Sequence, residues 1–185
     1  MQRLLSVKSL LFSLLLLTLS ALALAGCSSN QTCDPGHPCE CSGGHECYIG
    51  CEGDGCTPHC LQMNRCGAVC ENRCSSLCHD MDECSTSCGD DCDVKCHGAE
   101  ACGAICGDRC HFDCHDVGRC GVRAGNQSEI VCHNFSRCDV ECTGTCRVRS
   151  ASPDICDPVN GCTLKCLGGA ALTMCSDGSV ACGAC

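Results

Sequence analysis

The chain has 185 residues, 31 of them cysteine, with no tryptophan, one tyrosine and three phenylalanines. So few aromatic side chains cannot build an ordinary globular core, and cysteine at this density in an exported chain is a disulfide scaffold, which excludes a reducing compartment for the folded state. The formal charge of −10 argues against nucleic acid as a partner and against attraction to anionic lipid; it suits the solubilising surface of an extracellular protein.

The first predicted element is a leader over residues 1–26. Arg3 and Lys8 form a short basic region, followed by the apolar run LLFSLLLLTLSALAL at residues 10–24. The run is too short for a comfortable membrane span and reads as a signal peptide. It ends in Leu24-Ala25-Gly26-Cys27, which resembles at every position the lipobox of bacterial lipoproteins, L-[AS]-[GA]-C. The resemblance covers only the leader. It implies cleavage before Cys27, diacylglyceryl attachment to the Cys27 thiol and membrane anchoring by acyl chains, each buried CH2 contributing about 0.8 kcal/mol. The alternative is a plain secretory signal with an incidental cysteine at the cut. In Gram-negative sorting, aspartate after the lipidated cysteine favours inner-membrane retention, so Ser28 implies the outer membrane. Without Arg3 and Lys8 the mature chain keeps 10 basic against 22 acidic side chains, a charge of −12.

Residues 27–46 are expected to form a tether and cap. A repeat follows over residues 47–150, and from Cys66 it reads C-x3-C-x3-C-x3-C-x5 on a period of 18 residues: Cys66, Cys70, Cys74, Cys78, then Cys84, Cys88, Cys92, Cys96, then Cys102, Cys106, Cys110, Cys114. A fixed period of this length means stacked copies of one unit. The middle residue of the x3 segments is usually apolar (Val94, Ala104, Phe112, Val122, Ile130, Val140), flanked by polar pairs such as Asp93 and Lys95. Cysteine and apolar residue then point one way and the polar pair the other, the period of a half-buried strand. A helix is the rival, since C-x3-C also aligns two cysteines on one helical face, but there the apolar residue would face water.

The three-residue links carry Asn, Asp or Gly at their centre, as in Gly89-Asp90-Asp91, and the expectation is positive φ at that central residue. The five-residue links centre on Met63, Met81, Ala99, Val117 and Phe135, expected to turn inward. The fold class expected is all-β: a two-faced parallel β-solenoid of 18-residue rungs with a disulfide-laddered core. In architecture alone it resembles small disulfide-bridged β-solenoids, without the flat T-x-T array of antifreeze members or the β-roll nonapeptide.

Within a rung the first cysteine is expected to pair with the fourth and the second with the third: Cys66–Cys78, Cys70–Cys74, Cys84–Cys96, Cys88–Cys92, Cys102–Cys114, Cys106–Cys110, Cys120–Cys132 and Cys142–Cys146. The rung from Cys120 motivates this, since Ala124 and Ser128 replace both inner cysteines together and orphan none. Residues 151–185 form a C-terminal cysteine-rich cap. Cys33, Cys39 and Cys41 at one end and Cys138, Cys156, Cys162, Cys166, Cys175, Cys182 and Cys185 at the other stay unassigned.

Four histidines, His79, His97, His115 and His133, open successive wide turns 18 residues apart, with Asp80 and Asp116 beside two of them. Stacked imidazoles can hold Zn2+ or Cu2+; the plainer reading is a surface residue copied with the repeat. Asp90, Asp91 and Asp108 suggest Ca2+, but Asn72, Asn126 and Gly144 interrupt their column. Cys182-Gly183-Ala184-Cys185 has redox spacing without a helix behind it and reads as a structural crosslink. Thiolate-cluster spacing is confined to Cys39-Glu40-Cys41. The function expected is therefore a lipid-anchored, non-enzymatic structural or adhesive lipoprotein of the cell envelope, with no cofactor and an unspecified protein or surface partner. The alternative is a Zn- or Cu-sequestering lipoprotein using the histidine column.

Overall fold

The computed structural model describes residues 28–150 and 162–185; the leader, Cys27 and Cys156 lie outside the described residues. The described residues form thirteen strands: β1 (Ser28–Cys33), β2 (Pro38–Ser42), β3 (Glu46–Cys51), β4 (Thr57–Leu61), β5 (Arg65–Val69), β6 (Ser75–Ser87), β7 (Asp93–Ile105), β8 (His111–Ala124), β9 (Ser128–Cys142), β10 (Cys146–Ser150), β11 (Cys162–Cys166), β12 (Leu172–Met174) and β13 (Val180–Cys182). No helix occurs among the described residues. The alternation in the sequence survives as burial: in Asp93–Ile105, Val94, Cys96, Cys102 and Ala104 point in while Lys95 and Ile105 point out.

The strands coil into a parallel β-solenoid. β7 lies on β8 with each residue beside the one 18 positions on, Cys96 against Cys114, His97 against His115 and Cys102 against Cys120. Between β3 and β5 the step is 19, Glu46 against Arg65, because four residues rather than three separate Cys51 from Cys56. The stack starts earlier than expected. β1 pairs in parallel with β3 and β2 with β4, so residues 28–46, expected as a tether and cap, supply a coil of their own. Cys33 aligns with Cys51 and Cys41 with Cys60, although their sequence spacing breaks the repeat. At the other end β11 continues β9 in parallel, while β13 lies antiparallel to β10 and β12 antiparallel to β13. An antiparallel cap of this kind stops further strand addition.

Two kinds of edge close each coil. At the wide edge β6 to β9 bend and keep their register: Met81 still pairs with Ala99 and Val117 with Phe135, while between β7 and β8 the pairing lapses from His97 to Ala101. Each bend uses one left-handed residue: Asp80 (φ 54°), Gly98 (φ 62°), Asp116 (φ 54°) or Asn134 (φ 45°), types that tolerate this region. The bend turns Met81, Ala99 and Val117 into the core; Phe135 is half-buried.

At the tight edge positive φ falls one residue later than expected, on Arg73, Asp91, Arg109 and Gln127. The central Asx is needed for something else. Asn72 Oδ1 accepts the backbone N–H of Asp90 at 2.8 Å, Asp90 Oδ1 that of Asp108 at 2.9 Å and Asp108 Oδ1 that of Asn126 at 2.7 Å. Each coil thus caps an amide of the next that the ladder does not reach. Asn126 then accepts from Thr145 N at 3.2 Å, and Gly144 must lack a side chain, since a Cβ there would meet Asn126 Oδ1.

The core is one residue deep. Ser76 and Thr86 face each other through it and share a hydroxyl hydrogen bond of 3.1 Å, so two buried polar groups satisfy one another. One and two coils on, the same positions hold Val94 with Ala104 and Phe112 with Val122. All of these side chains are buried, so one facing pair per coil fills the space between the sheets.

Candidate functional site

Cysteine bridges line the wide edge. Cys60–Cys66, Cys78–Cys84, Cys96–Cys102, Cys114–Cys120 and Cys132–Cys138 each join residues six apart, with Cα separations of 6.1–6.9 Å. This corrects the expected Cys66–Cys78, Cys84–Cys96, Cys102–Cys114 and Cys120–Cys132. In a thin coil a first-position cysteine has two opposite neighbours, one across each edge. The period carries no phase to choose between them, and the wide edge brings its pair closer. The Sγ atoms of Cys120 and Cys132 remain 3.9 Å apart without bonding. Cys142–Cys146 is bridged across a tight turn. The other three tight-turn pairs are not: Cys70, Cys74, Cys88, Cys92, Cys106 and Cys110 are thiols, as are Cys51 and Cys56.

The ends are stapled by Cys33–Cys39 and Cys41–Cys47 on one side, and by Cys166–Cys182 and Cys175–Cys185 on the other. Cys182 and Cys185 therefore bridge to different partners, and their C-x-x-C spacing makes no dithiol.

The histidine column is assembled by the wide-edge register. Ring centroids of His79, His97, His115 and His133 follow one another at 6.3, 5.5 and 5.7 Å. His79 Nδ1 lies 3.1 Å from Asp80 Oδ2 and His115 Nδ1 3.2 Å from Asp116 Oδ2. All of these side chains are about half exposed. Asn134 donates to the second oxygen of Asp116. Asp90, Asp91 and Asp108 do not converge on a cation site: Asp90 and Asp108 accept backbone amides, and Asp91 takes a two-pronged hydrogen bond from Arg109 at 2.7 and 2.8 Å. That fork pulls the Asp91 carboxyl below the usual carboxylate range.

Two features have no counterpart in the sequence reading. On the outer face of one sheet, Gly67, Ser85, Gly103 and Gly121 stack into a shallow trough of about 620 Å³, rimmed by Val69 and Ile105 and closed at one end by Tyr48. Tyr48, Val69 and Ile105 are 55%, 62% and 58% exposed. The glycine spacing is legible, but which face it lines depends on the coil. The second feature is the double column of thiols behind the tight turns. No family model, curated protein or solved structure matches the chain.

Proposed function

We propose that the chain is a lipid-anchored structural or adhesive lipoprotein of the bacterial cell envelope, without enzymatic activity, carried by Cys27 at the outer membrane. The observation that supports it best is the exposed apolar rim of Tyr48, Val69 and Ile105 along a flat, stapled sheet. A rigid parallel face binds without losing conformational entropy, and apolar side chains standing clear of it favour a partner surface. The lipobox-like Leu24-Ala25-Gly26-Cys27 supplies the anchor. Membrane fractionation tests the reading: wild type should stay with the membrane and Cys27→Ala should be released or misprocessed. Mass spectrometry showing an unmodified Cys27 N-terminus on the mature protein would overturn it.

A second reading, sequestration of Zn2+ or Cu2+ by the histidine column, is favoured by the 5.5–6.3 Å ring spacing. Calorimetric titration at pH 7.5 should give saturable heat that His97→Gln/His115→Gln removes. Imidazole binds metal only when neutral, so acidification should weaken the affinity. Absence of saturable heat, or heat indifferent to the variant, refutes this reading.

A further inference from the structure

The eight thiols are continuous. Cys51, Cys70, Cys88 and Cys106 form one column behind the tight edge and Cys56, Cys74, Cys92 and Cys110 the other, in rows of two, one row per coil. Along the second column the thiols point at tight-turn carbonyls: Cys74 Sγ lies 3.6 Å from Glu71 O, Cys92 Sγ 3.4 Å from Asp90 O and Cys110 Sγ 3.4 Å from Gly89 O. The ladder is bounded. The Cys33–Cys39 bridge covers one end, where Cys56 Sγ points at Cys33 O, and buried Ala124 and Ser128 close the other, ahead of Cys142–Cys146. Seven of the eight thiols are buried; Cys51 at the first row is the partly exposed one.

We propose that this ladder is a linear binding site for soft monovalent metal, Cu(I), loaded from the Cys51 end. The Sγ atoms of Cys88, Cys92 and Cys110 already lie within 4.8 Å of one another. A metal–sulfur bond of about 2.3 Å places three sulfurs of a trigonal site about 4 Å apart, so the triangle closes by less than about 1 Å. Thiolate is the soft donor that selects Cu(I), and the thiolate is the ligand form.

Coordination number decides the metal. The two thiols of a row give up their S–H protons to solvent and hold one Cu(I), with a third sulfur from the next row completing a trigonal site; no electron moves. Zn2+ in a closed site asks for four tetrahedral donors, whereas among the described thiols the sulfurs that lie within 4.8 Å of one another come in a group of three. The imidazole column lies on the opposite edge, so the proposal does not rest on either functional reading above.

The experiment uses the full mature chain purified without reductant. Alkylation of the denatured protein, with no prior reduction, followed by peptide mapping should label Cys51, Cys56, Cys70, Cys74, Cys88, Cys92, Cys106 and Cys110. Anaerobic titration of the folded protein with Cu(I) against a chromophoric Cu(I) chelator should load about four ions, one per row of paired thiolates. Cys88→Ala/Cys92→Ser should lower the capacity by at least about a quarter. This variant copies the Ala124 and Ser128 that the protein already uses in the same slots, so the fold accepts it; circular dichroism confirms that. Overturning results are tight-turn rows found bridged like Cys142–Cys146, no Cu(I) withdrawn from the chelator, or a capacity indifferent to Cys88→Ala/Cys92→Ser.

Discussion

A single oxygen per coil holds the tight edge in register. Asp108 Oδ1 accepts the backbone N–H of Asn126, and the N–H of Asp108 is in turn accepted by Asp90. Asp108→Ala should orphan the Asn126 amide at a cost of roughly 1 kcal/mol, seen as about fivefold faster hydrogen exchange there. Asp108→Asn, which keeps the oxygen, should restore protection; unchanged exchange in the alanine variant would show that the column is decorative. The 18-residue recurrence of Asp54, Asn72, Asp90, Asp108 and Asn126 is visible in the sequence. Its role is not, because an Asx side chain at a turn can take up positive φ, a cation or an amide, and only the distance to the next coil selects among these. Ser76 and Thr86 are similar. Either alone would be a buried polar liability; together they are a satisfied pair.

At the scale of the element, strand identity follows from period 2 and was readable from Cys, apolar and Cys pointing one way. Disulfide phase was not. The missing pair Ala124 and Ser128 bears on the tight edge alone and leaves the outer cysteines free to bridge across either edge. Bridges six residues apart close small loops, each contributing on the order of 2 kcal/mol through the unfolded chain. They also clamp the two faces where the buried wide-edge residues Met81, Ala99 and Val117 are thinly covered. Peptide mapping without reduction should recover Cys78–Cys84, Cys96–Cys102 and Cys114–Cys120, with protease cuts between the two cysteines leaving the halves joined. Dominant Cys66–Cys78 and Cys84–Cys96 links would mean that the coil is clamped at its other edge.

Over the whole molecule the stack divides its edges. Among the described residues the wide edge carries six disulfides inside and four stacked histidines outside; the tight edge carries eight thiols inside and the Asx column outside. The surface ion pairs along the faces, such as Arg65 with Glu46 and Glu83, are well exposed and contribute little each. At the capped end Asp177 meets Arg147 at 2.9 Å and ties the last loop to β10. Composition and the 18-residue period by themselves determined that this chain is a crosslinked β-solenoid, because sparse aromatics forbid a thick core and a repeat this short must stack. Which cysteines bridge, where the stack begins and which residues share an edge were decided only by the tertiary structure. Period is a local property of the sequence, whereas phase depends on which of two opposite neighbours the coil brings within bonding distance.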